Sequence, residues 1–302
     1  MYRIYVGVLL LLVVSACAGR EVQLPPPPPK PAKVALVLGA GASRGFAHIG
    51  VLKTLEAHKI PVHMIVGTSA GSFVGCLYAY GYDPFQIQKL SFMVEKGDIA
   101  DLCFPDNGFL KGERLEEYIN KAVNGTPIEK LKIPFFAVAT NIQNGEEVVF
   151  DRGNTGAAVR ASCAVPGVFR PMKIGSKTYV DGGVVSPVAV DAARRLGADV
   201  VIAVDISSGV NDQPPESTID TLFQSISVMH SKLSVIQLAR ADVVIKPKVA
   251  HIGSSDFTKR HEAVLEGEKA ALEAIPKIEQ IMARPRGGGR VSSNPDFRCY
   301  GS

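Results

Sequence analysis

Short apolar runs alternate with amphipathic stretches along most of the chain. Residues 33–39, KVALVLG, are a β-branched apolar run closing on glycine, the pattern of a strand buried on both faces. FAHIGVLKTLEAHK follows, with Phe46, Ile49, Leu52 and Leu55 at helical spacing. VHMIVG (62–67) predicts a second buried strand, and AGSFVGCLYAYG (70–81) a small-residue helix closed by Gly81. ERLEEYINKAV (113–123) predicts an amphipathic helix, and PFFAVATNI (134–142) and EEVVF (146–150) two strands joined by QNG. GAAVRASCAV (156–165) reads as a short helix stopped by Pro166, and KTYVDGG (177–183) as the end of a strand. Helix then strand recurs in VAVDAARRLG and DVVIAVDI, and again in TLFQSISVMHSKLSVIQLAR and ADVVIKP. TKRHEAVLEGEKAALEAIPKIEQIMA (258–283) predicts a closing helix pair broken near Pro276. Apolar strands alternating with helices predict an α/β fold, a mostly parallel central sheet sandwiched by helices in three layers. No internal repeat or linker interrupts residues 33–283, which predicts one domain there.

The two ends differ from this pattern. Residues 1–16 carry Arg3 and then an apolar run from Tyr5 to Val14, too short to span a bilayer comfortably and typical of a signal peptide. Val14-Ser15-Ala16-Cys17 resembles the lipobox of bacterial lipoproteins, which implies cleavage before Cys17 and acyl chains on it, a stable membrane anchor. Ala18 rather than aspartate after that cysteine favours the periplasmic face of the outer membrane over the inner membrane within this resemblance. Residues 17–32 include five consecutive prolines, a stiff polyproline spacer between anchor and body. Residues 284–302 are rich in glycine and arginine without periodicity and predict a disordered tail.

Composition changes little. The 302 residues are 46% hydrophobic and 21% charged, enough for one large core or two modest ones, and the net charge of +4 is too mild to argue for nucleic acid. Beyond Cys17 the cysteines are Cys76, Cys103, Cys163 and Cys299; Cys76 and Cys163 sit in apolar helix-like contexts, which predicts no disulfide framework.

Candidate chemistry centres on Gly67-Thr68-Ser69-Ala70-Gly71. A serine between two such glycines, after a buried strand and before a helix, fits a nucleophile on a sharp turn at a helix N-terminus. Upstream, Gly39-Ala40-Gly41-Ala42-Ser43-Arg44-Gly45 follows the first strand. A dinucleotide loop would need its third glycine one position earlier and an acid ending the second strand, and both are missing. Converging backbone N–H groups can instead hold an oxyanion beside a nucleophilic serine. The base is less obvious. His48, His58, His63, His230 and His261 occupy no recognisable loop after a late strand, and His251 alone could fill a Ser-Asp-His arrangement. Asp181, at a strand end before Gly182 and Gly183, is the better candidate: burial beside an apolar pocket would raise its pKa toward a useful range.

Taken together, GAGASRGFAHIGVL, GTSAG, ASCAVPGVFRP and DGG resemble, in this order, the patatin-like phospholipases, α/β lipid acyl hydrolases. The resemblance spans roughly residues 33–205. It implies Ser69 and Asp181 as a catalytic dyad, Gly67 and Gly71 as the nucleophile turn, and Gly39, Ala40, Gly41, Arg44 and Gly45 as the oxyanion loop, with Ala40 replacing a glycine common in the family. Ala161, Ser162, Pro166, Phe169 and Pro171 match a further segment. The implied function is cleavage of lipid acyl esters, of phospholipase, lysophospholipase or esterase type, without metal or diffusible cofactor. A lipid-binding lipoprotein that keeps the fold without turnover is the alternative. Phe85, Ile87, Leu90, Phe92 and Met93 could line an acyl pocket, touch a membrane, or simply pack in the core.

Overall fold

The first strand, β1 (Val34–Leu38), is buried at every position because its even and odd residues face two different cores. Val34, Leu36 and Leu38 point into one apolar cluster and Ala35 and Val37 into another. The same alternation holds in β2 (Met64–Thr68) and β7 (Val200–Val204), which flank β1 in parallel register. A strand buried on both faces has no polar side, so its sequence is a continuous apolar run. The computed structural model describes residues 32–93, 101, 109–207 and 214–284, with 218–220 and 223 by backbone alone. The segment expected to be a signal peptide and nearly all of the expected spacer, with Cys17, Cys103, Cys299 and the expected tail from 285 on, lie outside the described residues.

Among the described residues the sheet has eight strands, with β3 (Phe135–Asn141), β4 (Glu146–Phe150), β5 (Met172–Ile174), β6 (Lys177–Asp181) and β8 (Val243–Ile245) completing it. Its order is β5-β6-β3-β2-β1-β7-β8, with β4 also on β3. The run β3-β2-β1-β7-β8 is parallel, and β4, β5 and β6 pair antiparallel. The short β5, with Lys173 at its centre, has no apolar run to announce it.

Helices α1 (Phe46–Ala57), α2 (Ala70–Tyr80), α3 (Pro84–Met93), α4 (Glu113–Ala122), α5 (Thr155–Ser162) and α8 (Arg260–Met282) bring residues to the first cluster. On the other side, α6 (Val190–Arg195) supplies Val190, Ala192 and Ala193, and Leu238 of α7 (Thr218–Leu238) packs against them. This is the expected mostly parallel sheet between helical layers.

One expectation needs correction. The closing segment is one helix, α8, with Pro276 inside it rather than a break. Pro276 lies on the exposed face, where water can serve the carbonyl that loses its donor, while Ile275 and Ile278 stay anchored in the core. In α3, Ile87 is core, whereas Phe85 is 70% and Met93 is 68% exposed. Cys76 and Cys163 are free thiols, as expected.

Candidate active site

Parallel strands release their chain at their carboxyl ends, and the crevice there is where open α/β sheets bind ligands. Ser69 follows β2 directly, and the Gly39 loop follows β1 beside it. Ser69 has φ 55° and ψ −122°, a backbone state uncommon for a residue with a side chain. The turn is tight enough to require its glycines. A Cβ on Gly67 would meet Ser72 Cα at 2.5 Å, and one on Gly71 would meet the Leu38 carbonyl oxygen at 2.0 Å. Ser162 pins the turn from α5: its Oγ accepts from Ser69 N–H at 2.9 Å and donates to Val138 O at 2.6 Å. That role was hidden in the sequence, where Ser162 was one position of a matched segment with no stated contact.

Asp181 ends β6, which pairs with β3 two strands from β1. Its carboxyl is 3% exposed, and Oδ1 accepts from Gly183 N–H at 2.7 Å. The Ser69 side chain, 6% exposed, interacts with this carboxylate, yet Oδ2 completes no hydrogen bond. The pair is close but looser than a formed hydrogen bond, a contact that catalytic pairs commonly tighten around substrate. Burial pushes the Asp181 pKa up from 3.8 to about 6, against the pull of Ser69 and the Gly183 N–H. Gly182 allows the approach of β3, since a Cβ there would lie 2.2 Å from Val138 O.

The glycine loop is positioned differently from expectation in one respect. Gly39 N–H donates to Val204 O at 3.1 Å and Ala40 N–H to Pro187 O at 2.8 Å, so neither is open to an oxyanion. Strand β7 and the loop before α6 hold them in place. Gly41 and Ala42 N–H have no acceptor among the described residues, and Ala70 N–H opens helix α2 without an intrahelical partner. Arg44 Nε donates to Gly41 O at 3.1 Å and shapes the loop, and Gly45 packs against Ala70. His48, fully buried, bonds Gly39 O through Nε2 at 2.8 Å, and burial pushes its pKa down to about 4. It acts as a neutral brace for the loop.

His251 is exposed and pairs with Glu262 at 2.5 Å, and it borders neither pocket at Ser69. His230, from the middle of α7, does reach the site. Its Nε2 would lie 2.6 Å from a Cβ on Gly183. No sequence signal marked it, because the contact joins a helix interior to a turn far away in the chain.

Two pockets meet at Ser69, sharing Ala42 and Val165. One, of about 210 Å³, is almost wholly apolar, walled by Phe46, Ile49, Phe73, Leu115, Phe169 and Phe257 among others. Of the α3 residues expected there, none borders it; α3 contributes Ser91 instead. Cys163 also borders it, and burial pushes its thiol up to about 12, so it stays protonated beside Ser69. The other, of about 60 Å³, is bordered by Arg44, Asp181, Ser227 and His230.

Comparison with known proteins agrees with this geometry. A family model described as patatin-like phospholipase matches residues 36–194. The chain is 30% identical over 285 residues to a lysophospholipase NTE1 of Pyricularia oryzae, covering 83% of this chain and 19% of that protein. It is 33% identical over 235 residues to the lysophospholipase nte1 of Aspergillus fumigatus, covering 75% of this chain and 15% of that protein. The chain thus spans about a fifth or less of the length of these curated relatives. Among solved structures, VipD of Legionella pneumophila matches with a TM-score of 0.56 at 14% identity, over 83% of this chain and 67% of that one, a likeness of fold.

Proposed function

This chain belongs to the patatin-like phospholipase family, and from that premise we propose that it is a lipid acyl hydrolase working with Ser69 and Asp181. The single observation that carries the reading is the meeting of a strained serine turn with a buried carboxylate at the mouth of an apolar pocket. Ser69 Oγ attacks the carbonyl carbon of an acyl ester while its proton passes to Asp181. A carboxylate near pKa 6 takes that proton more readily than an ordinary aspartate would. The oxyanion forms against the open N–H groups of Gly41, Ala42 and Ala70, helped by the dipole of α2. Collapse breaks the ester C–O bond, Asp181 returns the proton to the leaving alcohol, and acyl-Ser69 remains. Water then attacks the acyl carbon and gives a proton to Asp181; collapse breaks the bond to Ser69 Oγ, Asp181 returns the proton to that oxygen, and the fatty acid leaves.

The acyl chain lies in the apolar pocket, whose volume and lining suit hydrocarbon. The named relatives make a lysophospholipid the first substrate to try. For location we propose a lipid anchor at Cys17 in a bacterial envelope, supported by the Val14-Ser15-Ala16-Cys17 segment. The test of the activity is fatty acid release from lysophosphatidylcholine. Wild type should turn over, and Ser69→Ala and Asp181→Asn should each lose at least about a hundredfold in rate. Equal rates for wild type and Ser69→Ala would remove the assignment.

A further inference from the structure

The second pocket beside Ser69 is lined largely by apolar groups, yet a buried cation with open donors borders it. Arg44 is 6% exposed, yet among the described residues its one hydrogen bond is Nε to Gly41 O, which leaves both Nη groups without an acceptor. Asp205 is the nearby carboxylate, and neither oxygen bonds Arg44: Oδ1 accepts from Ser207 N–H at 3.0 Å, and Oδ2 lies 3.1 Å from Lys246 Nζ as an ion pair without completing a hydrogen bond. Burial lowers the Arg44 pKa to about 10, only partly opposed by Asp205. A buried guanidinium in this condition is a place for an anion, which its planar fork can bind through two N–H groups.

His230 faces the same space. Its Nε2 lies 2.6 Å, and Asp181 Oδ1 3.0 Å, from the point where Gly183 would carry a Cβ. Its ring makes no hydrogen bond among the described residues and borders the pocket. Burial and the Arg44 charge push its pKa down to about 4, so at neutral pH it offers one N–H without a second charge. Asp181 is the facing acid, and Ser227 and Ser254 add hydroxyls at the border. At about 60 Å³ this pocket is much smaller than the acyl pocket, with room for a compact group rather than a second acyl chain, and Arg44 and His230 are its open polar donors.

We propose that Arg44 and His230 together hold the phosphate of a phospholipid or lysophospholipid head group in this second pocket, while the acyl chain occupies the apolar pocket across Ser69. His230 is then a specificity residue that separates phosphorylated from neutral acyl glycerols. The proposal rests on the hydrolase reading of Ser69, because the shared serine fixes which end of the lipid lies on which side.

The experiment compares lysophosphatidylcholine with the monoacylglycerol of the same acyl chain. A hydrogen bond to a charged group is worth about 1.5–3 kcal/mol, or roughly ten- to a hundredfold. His230→Ala should therefore lower kcat/KM for the phosphorylated ester about ten- to a hundredfold more than for the neutral one. His230→Gln, which keeps a neutral donor, should recover much of the preference. A parallel binding measurement uses short-chain ether analogues of both lipids, which carry no ester to cleave. His230→Ala should weaken the phosphorylated ether about ten- to a hundredfold more than the neutral one, narrowing the discrimination that Arg44 alone still supplies. Equal losses on both substrates, or no loss on either, would overturn the proposal. Inorganic phosphate binding wild type as tightly as the phosphorylated ether would assign the pocket to a free anion instead. If wild type cleaves neither ester, the hydrolase reading fails, and the ether binding still decides the pocket.

Discussion

At Asp181, the burial that suits the carboxylate to accept a proton also works against the fold. Its pKa is about 6 in the native state against an ordinary 3.8. The native state therefore binds the proton more tightly than the unfolded chain does. Stability from this group is fully present below about pH 4 and is lost as pH rises through about 6, on the order of 3 kcal/mol. Asp181→Asn cannot ionise, so denaturant unfolding should find it more stable than wild type at pH 7–8 and similar near pH 4. In the proposed mechanism the same ionisation sets the rate: kcat/KM for ester hydrolysis should be level above about pH 7 and fall roughly tenfold per unit well below 6. A profile level down to pH 4 would remove Asp181 as the base. Ser69 and Asp181 were legible in the sequence because each sits in a short local pattern whose glycines are dictated by tight turns. Which loop N–H groups stay open was not legible, because Val204 and Pro187 occupy those of Gly39 and Ala40 from distant parts of the chain. His230 was invisible for the same reason: its meeting with Gly183 is made by the tertiary fold alone.

At the scale of elements, the strands were the most legible feature, since two-sided burial leaves a continuous apolar run that few other structures tolerate. Helix α8 was less so. Proline reads locally as a break, but packing on α1 decides the outcome. That packing is unusually close. A Cβ on Gly50 would lie 2.0 Å from Val264 O, and one on Gly267 would lie 2.0 Å from Ala47 O. Neither neighbour is a flexible side chain, so the helices would have to part. Gly267→Ala should cost about 2 kcal/mol or more, read as a fall in Tm of roughly 5–10 °C. Gly253→Ala is the control, since a Cβ there meets only Asp256 Cβ at 3.8 Å, and its Tm should hardly move. Equal Tm values for the two variants would contradict the close crossing. The exposed Phe85 and Met93 of α3 illustrate a limit of the apolar pattern, which marks residues as hydrophobic without saying which face a short helix buries.

At the scale of the whole molecule, the α/β layers bring the carboxyl ends of β1 and β2 and the end of β6 to one crevice, and two unlike pockets open there. The proposed anchor at Cys17 would tether the protein to lipid without taking part in chemistry. Cys17→Ser should therefore move the protein from the membrane fraction to the soluble one, while kcat on a short-chain ester changes little; unchanged membrane partition would remove the anchor. The central claim is that Ser69 is the nucleophile, and the most direct measurement is covalent labelling with a fluorophosphonate followed by mass mapping of the adduct. The expected result is one adduct on Ser69 in wild type and none in Ser69→Ala. Labelling of Ser69→Ala to the same extent, or an adduct mapped to another residue, would contradict it.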